Sequence, residues 1–269
     1  MAAFRLASAH ASGGWSVIVW LALVTALAAA VRSTWSPCGL SMLSTITPLA
    51  EQGRGHRYRL TATWFVIGSV LGGATLGVGA ALLALLVAQL APSAAVALAV
   101  ASLAAILTAS SDLRLFGRQL PIHPRQVNEL WLGKFRSWVY GVGFGWQIGV
   151  GFATYIMTAA VYLMVVLSGL TAAPVVAFAV CTAFGLVRGL AIMLGSTITS
   201  PERLLAFHRR FDALAEPIRR AVIGVQLAVA AVAAFALWAP GVATVVAGGI
   251  LVATAVMIAI IRRPVAAAS

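Results

Sequence analysis

Acidic residues are nearly missing from this sequence: six stand among 269, against eighteen basic ones. Charged residues of both signs make up only 9%, where a soluble domain carries about 25%. A chain so poor in charge, 62% hydrophobic and with mean hydropathy +1.02, is excluded from the ordinary soluble class. Lysine is almost absent too, since seventeen of the eighteen basic residues are Arg. The formal charge of +12 does not indicate nucleic acid, because the basic residues lie between apolar runs and form no patch. There are two cysteines, Cys38 and Cys181, without a Cys-x-x-Cys spacing. That excludes a disulfide framework, a zinc ribbon and a soluble thioredoxin-like motif. A Walker loop, a nucleophile elbow and a His-Glu-x-x-His helix are all lacking. His56, His123 and His208 are scattered over basic loops, so neither a metal nor another cofactor is expected.

What is present is a series of long apolar runs, roughly 15–50, 60–90, 93–111, 138–168, 173–196, 221–238 and 242–261. About twenty apolar residues cross a bilayer core, so seven spans are expected, in contact with membrane lipid. None of the carboxylates falls inside these runs, so a proton-coupled carrier lacks its usual relay. The connections alternate in charge. Those at 91–93, 168–170 and 239–241 are neutral, whereas those after spans one, three and five and after the last are rich in Arg. The positive-inside rule then places the N-terminus outside and the C-terminus in the cytoplasm of a bacterial inner membrane. The first run is too long and lacks the flanks of a cleavable signal peptide. Residues 1–14, with Gly13 and Gly14, are expected as a short flexible tail. The loop 197–220 has Ser200 before Pro201, an N-cap followed by Pro at the first helical position. Leu204, Leu205, Phe207, Phe211 and Leu214 give it an apolar face, so an amphipathic helix on the inner membrane surface is expected.

Two runs are overlong. The first would be about 52 Å as a helix, and it holds Arg32, Pro37 and Pro48. The fourth is rich in Gly at "YGVGFGWQIGVGF". Both are expected to break, near Pro37 and near Gly149, because irregular backbone at membrane depth must be buried in protein or line a wet cavity. Spans one to three and four to six then read as two inverted copies of one unit, about 15–112 and 138–238, a plan typical of transport folds. Trp35 aligns with Trp146 and Thr47 with Thr158. The expected fold is an all-α polytopic helical bundle: two inverted three-helix repeats with broken first and fourth helices. A seventh helix and short tail follow at 241–269.

The block "SPCGLSMLSTITPL", followed by a basic loop and "ATWFVIGSVLGGATLG", resembles the start of the cytochrome c biogenesis transmembrane family. That family includes CcdA and the membrane domain of DsbD, and the resemblance extends over a domain at about 15–240. Its first helix carries Ser-Pro-Cys, here Ser36, Pro37 and Cys38. Its second starts with Phe-x-x-Gly, here Phe65 to Gly68. Its fourth has Gly-Trp before Thr-Pro-Cys, and Gly145-Trp146 is present. The resemblance implies thiol–disulfide electron transfer across the membrane without a bound cofactor. It also implies thioredoxin-like partners and a pair of cysteines that attack and resolve a mixed disulfide. This chain departs from the pattern after Trp146. Gln147-Ile148-Gly149 replaces Thr-Pro-Cys, so Gly149 occupies the place of the second cysteine. The implied protein is therefore a degenerate CcdA-like one with Cys38 as its catalytic thiol. The rivals are a small-solute or ion transporter on the same fold and a non-catalytic membrane scaffold.

Each candidate has a plainer reading. Cys38 is a reactive thiol, a metal ligand or a small buried residue. Cys181 is a substitute resolving thiol or a packing residue in "FAVCTAF". Arg188, seven residues further on the same helix face, either meets a cavity or partner at membrane depth or snorkels to the boundary. Gln147 needs hydrogen-bond partners and suits a substrate path. Arg32 suits an interfacial anchor. The small residues at 72–80 suit close helix packing.

Overall fold

In the computed structural model residues 2–115 and 130–261 are described, with the side chains of 13–115 and 130–255. The expected basic loop positions Arg118, His123, Arg125, Arg262 and Arg263 lie outside them. All regular structure among the described residues is helical.

Helix α1 (Ala2–Ser33) is an unbroken Ala-, Leu- and Val-rich helix. It already runs from Ala2, where the sequence suggested a tail. Gly13 and Gly14 are contact points inside it: a Cβ on Gly13 would touch Pro240, and one on Gly14 would lie 3.1 Å from the Ala94 Cβ. The helix stops at 34–36 and restarts as α2 (Pro37–Thr45), then α3 (Pro48–Gly53). Both restarts use one device. Ser36 caps α2 by accepting from the Gly39 amide at 3.1 Å, and Thr47 caps α3 by accepting from the Ala50 amide at 3.1 Å. Pro37 and Pro48 each occupy the first helical turn, where a missing N–H costs nothing. The prolines thus begin helices, and the interruption lies just before them.

Helix α4 (Tyr58–Leu90) turns at Ala91 into α5 (Ala94–Leu113). After the short α6 (Trp131–Lys134), α7 (Ser137–Val150) ends at Gly151, whose φ of 76° favours glycine. Residues 151–159 are irregular before α8 (Ala160–Leu170). Helix α9 (Pro174–Leu190) continues into a 3₁₀ helix (Ala191–Thr197). The last helices are α10 (Pro201–Phe235) and α11 (Pro240–Ile261).

Five of these helices are long and apolar enough to cross a membrane, and α8 and α11 supply shorter apolar segments. Leu82, Leu86, Leu103 and Leu107 are all more than half exposed. Such an apolar exterior fits lipid and not water, and the chain reads as a multi-pass membrane protein.

The centre of the bundle is α4 wedged between α7 and α9. Glycines allow this approach. A Cβ on Gly68 or Gly72 would run into the backbone of Val142 or Trp146, and one on Gly185 into that of Ser69. Ser69, fully buried, donates to the Gly185 carbonyl at 2.7 Å. Small residues are what permit backbone-to-backbone contact between membrane helices.

Two expectations change. The amphipathic stretch after Ser200 is not a separate surface helix: it runs through Pro217 into the next span as one 35-residue helix. Its aromatic face is used inside the protein, where Phe211 stacks on Trp35 at 4.5 Å and Phe207 stacks on Phe211.

Candidate functional site at two helix breaks

Helices α1 and α7 both end inside the bundle, and a helix leaves its last carbonyls without intrahelical partners. Arg188 on α9 reaches both ends. Its Nη1 donates to the Ile148 carbonyl at 2.6 Å, and its Nη2 points at the Ser33 carbonyl at 3.4 Å. The guanidinium also lies over the Phe184 ring, 5.7 Å from the centroid. Arg188 is 4% exposed and has no ion pair with a carboxylate among the described residues. Its counter-charge is instead the negative end of two helix dipoles, each equivalent to about half an elementary charge. Of the two readings of Arg188, the buried one holds: it does not snorkel. It lines a cavity of about 20 Å³ with Ser33, Thr34, Gly39 and Ile148, enough for about one water.

Cys38, in the first turn of α2, is buried, and its neighbour Gly39 lines the same small cavity as Arg188. Cys181 is elsewhere. It lies seven residues before Arg188 on α9, about 10 Å along the axis, and its thiol contacts the Ser168 hydroxyl at 3.9 Å. Neither cysteine forms a disulfide among the described residues. Trp35, in the turn between α1 and α2, donates from Nε1 to the Phe211 carbonyl at 2.8 Å, tying the break to α10. Ser36 and Pro37 build the N-terminus of α2.

The fourth-span candidates disperse. Trp146 is 41% exposed and donates to the Thr75 hydroxyl on the outer side of α4. Gln147 is half-buried. Gly149 does not face Cys38: a Cβ there would collide with the Ser69 backbone of α4. The helix ends at Val150 while the position aligned with the cysteine is still helical, so its side-chain direction is fixed by the α4 contact.

Two carboxylates, the buried Glu51 and the half-buried Asp112, are absent from the sequence-based candidates. Glu51 of α3 is fully buried and accepts from Tyr140 at 2.9 and 2.7 Å, Thr61 at 2.5 Å and Arg54 at 2.8 Å. It thereby ties α3 to α4 and α7. Only the Arg54 contact, at i+3, had a local signal. Asp112 at the end of α5 accepts from Thr158 at 2.5 Å, the Ala159 amide at 2.9 Å and Gln226 at 2.9 Å. It joins α5, the start of α8 and α10. Both residues sit at the margins of apolar runs, where hydropathy alone assigns them to loops.

The chain is similar to three proteins called methylamine utilization protein MauF. With that of Methylobacillus flagellatus it is 30% identical over 158 residues, which cover 55% of this chain and 53% of the relative. With that of Paracoccus denitrificans it is 29% identical over 208 residues, 74% of this chain and 73% of the relative. With that of Methylophilus methylotrophus it is 29% identical over 202 residues, 71% and 68%. The chain thus spans about half the length of the Methylobacillus protein and more of the other two. No family model matches it, and no solved structure does. These relatives overturn the resemblance to CcdA and DsbD, and with it the reading as a thiol–disulfide relay of cytochrome c biogenesis.

Proposed function

We propose that this chain is a MauF-like membrane protein that serves methylamine utilization. The observation that carries this is the match to three proteins of that name, two of them across about seven tenths of both chains. The centre of the molecule in this reading is the meeting of the two helix breaks at Arg188, with Cys38 beside it. The seven-span topology belongs to the same reading, with the N-terminus outside, the C-terminus in the cytoplasm and the bacterial inner membrane as location; the alternation of basic and neutral loops supports it. Two inverted units, about 15–112 and 138–238, are supported by the opposite directions of α1 and α7 and by the way their C-terminal ends share one guanidinium.

The test is complementation. A Paracoccus denitrificans strain lacking its MauF is given this gene with an epitope tag, and growth on methylamine is compared with growth on succinate. Restored growth on methylamine alone is expected. No restoration, with the tagged protein present in the membrane and the strain's own gene restoring growth in parallel, would overturn the proposal.

A further inference from the structure

A second polar cavity, of about 100 Å³, lies between the end of α1, the end of α5, the irregular segment before α8, and α10. Arg32, Arg114 and Arg219 line it, against a single carboxylate, Asp112. Asp112 is occupied: its oxygens already accept from Thr158, Ala159 and Gln226. Arg219 is largely occupied, with Nε and Nη2 on Glu216 and Nη1 on the Asp112 carbonyl. Arg32 is not. It is 6% exposed, and its Nε and Nη1 are buried with no hydrogen-bond partner among the described residues. Leaving a buried charge so unpaired is strongly unfavourable. Nε shares one edge of the guanidinium with Nη2, and Nη1 shares the other; each edge is a planar donor pair that matches two oxygens of a carboxylate or phosphate. The cavity holds several water-sized groups, and the Tyr155 and Thr158 side chains add polar lining. Irregular backbone between two membrane helices is tolerated where it lines such a space, and residues 155–158 form one wall.

Gly14 meets Ala94 at one end of the parallel helices α1 and α5. Arg32 and Asp112 each lie eighteen residues further along, so both are about 27 Å away, at the end where α5 gives way to the Arg-rich connection after span three.

We propose that this cavity binds an oxyanion of the phosphate class at the membrane boundary, held by the free edge of Arg32 with Arg114 at the mouth. The proposal is independent of the part played in methylamine utilization. The source is inorganic phosphate from the aqueous side or the phosphate of an anionic lipid headgroup. The full-length protein, purified in a neutral detergent, is followed by thermal unfolding with inorganic phosphate in one arm. The other arm adds phosphatidylglycerol, with phosphatidylcholine as its control. The variants are Arg32→Met, which removes the charge with similar bulk, and the exposed Arg114→Gln. A melting temperature that rises with phosphate, with apparent affinity weakened about tenfold or more in Arg32→Met, supports a site for the free anion. A rise with phosphatidylglycerol only, lost in the same variant, supports the lipid headgroup. If Arg32→Met does not fold, the Arg114→Gln titration decides, with a weaker shift supporting the site. No shift in either arm, or shifts that neither variant reduces, overturn it.

Discussion

The Nη1 of Arg188 donates to the carbonyl of Ile148 at 2.6 Å, joining the last turn of α9 to the end of α7. The same side chain reaches the end of α1 at Ser33. One cation therefore satisfies acceptors left by two helices that stop inside the bundle.

Replacing Arg188 with Met leaves both carbonyls without their donor in a buried setting. The expected loss is on the order of 3 kcal/mol. Arg188→Lys should recover part of it, since a single ammonium cannot reproduce the planar fork. Thermal unfolding of the purified variants measures both. A Met variant as stable as the wild type would remove the capping role.

Gly149→Ala should destabilise by about 1–3 kcal/mol through overpacking, because its Cβ would land on the Ser69 backbone. Gly248→Ala in α11, where nothing lies within 4 Å of the added methyl, should instead gain about 0.5–1 kcal/mol from helix propensity. A Gly149→Cys thiol, pointing at α4, should form no bridge with Cys38 on oxidation. A mass-tag gel shift showing that bridge would contradict the packing.

Glu51 and Tyr140 act as one unit across α3 and α7. Tyr140→Phe should cost about 1.5–3 kcal/mol, the range for a hydrogen bond to a charged group. Glu51→Gln leaves Arg54 without its charge partner and should also destabilise. The double variant should lose less than the two single losses combined, since the interaction can be lost only once. Additive losses in unfolding measurements would mean that the two side chains act separately.

Loop orientation is open to direct labelling. In a Cys38→Ser, Cys181→Ser background, Arg57→Cys should react with an impermeant maleimide only after the cells are permeabilised. Ser93→Cys should react in intact cells. The reverse pattern would invert the topology drawn from the basic loops.

The sequence by itself determined the helical class and the apolar spans, because length and hydropathy are local properties that a bilayer reads directly. It also determined the helix start at Pro201, because an N-cap followed by Pro is a local steric and hydrogen-bonding pattern, and the break near Pro37, while the second restart at Pro48 went unread. The break in the fourth span was legible in its excess length and glycines. What only the tertiary structure decided is which buried polar groups meet. Gly149 was aligned with a cysteine position by spacing, yet its direction is set by contact with Ser69, 80 residues away in the chain. Glu51 and Asp112 read as loop acids until Tyr140, Thr61, Thr158 and Gln226 were brought against them. Arg188 left two readings open until two helix ends converged on it. Hydrogen bonds between distant segments leave no periodic trace in the sequence. They exist only once the glycine-lined helices have closed the bundle around them.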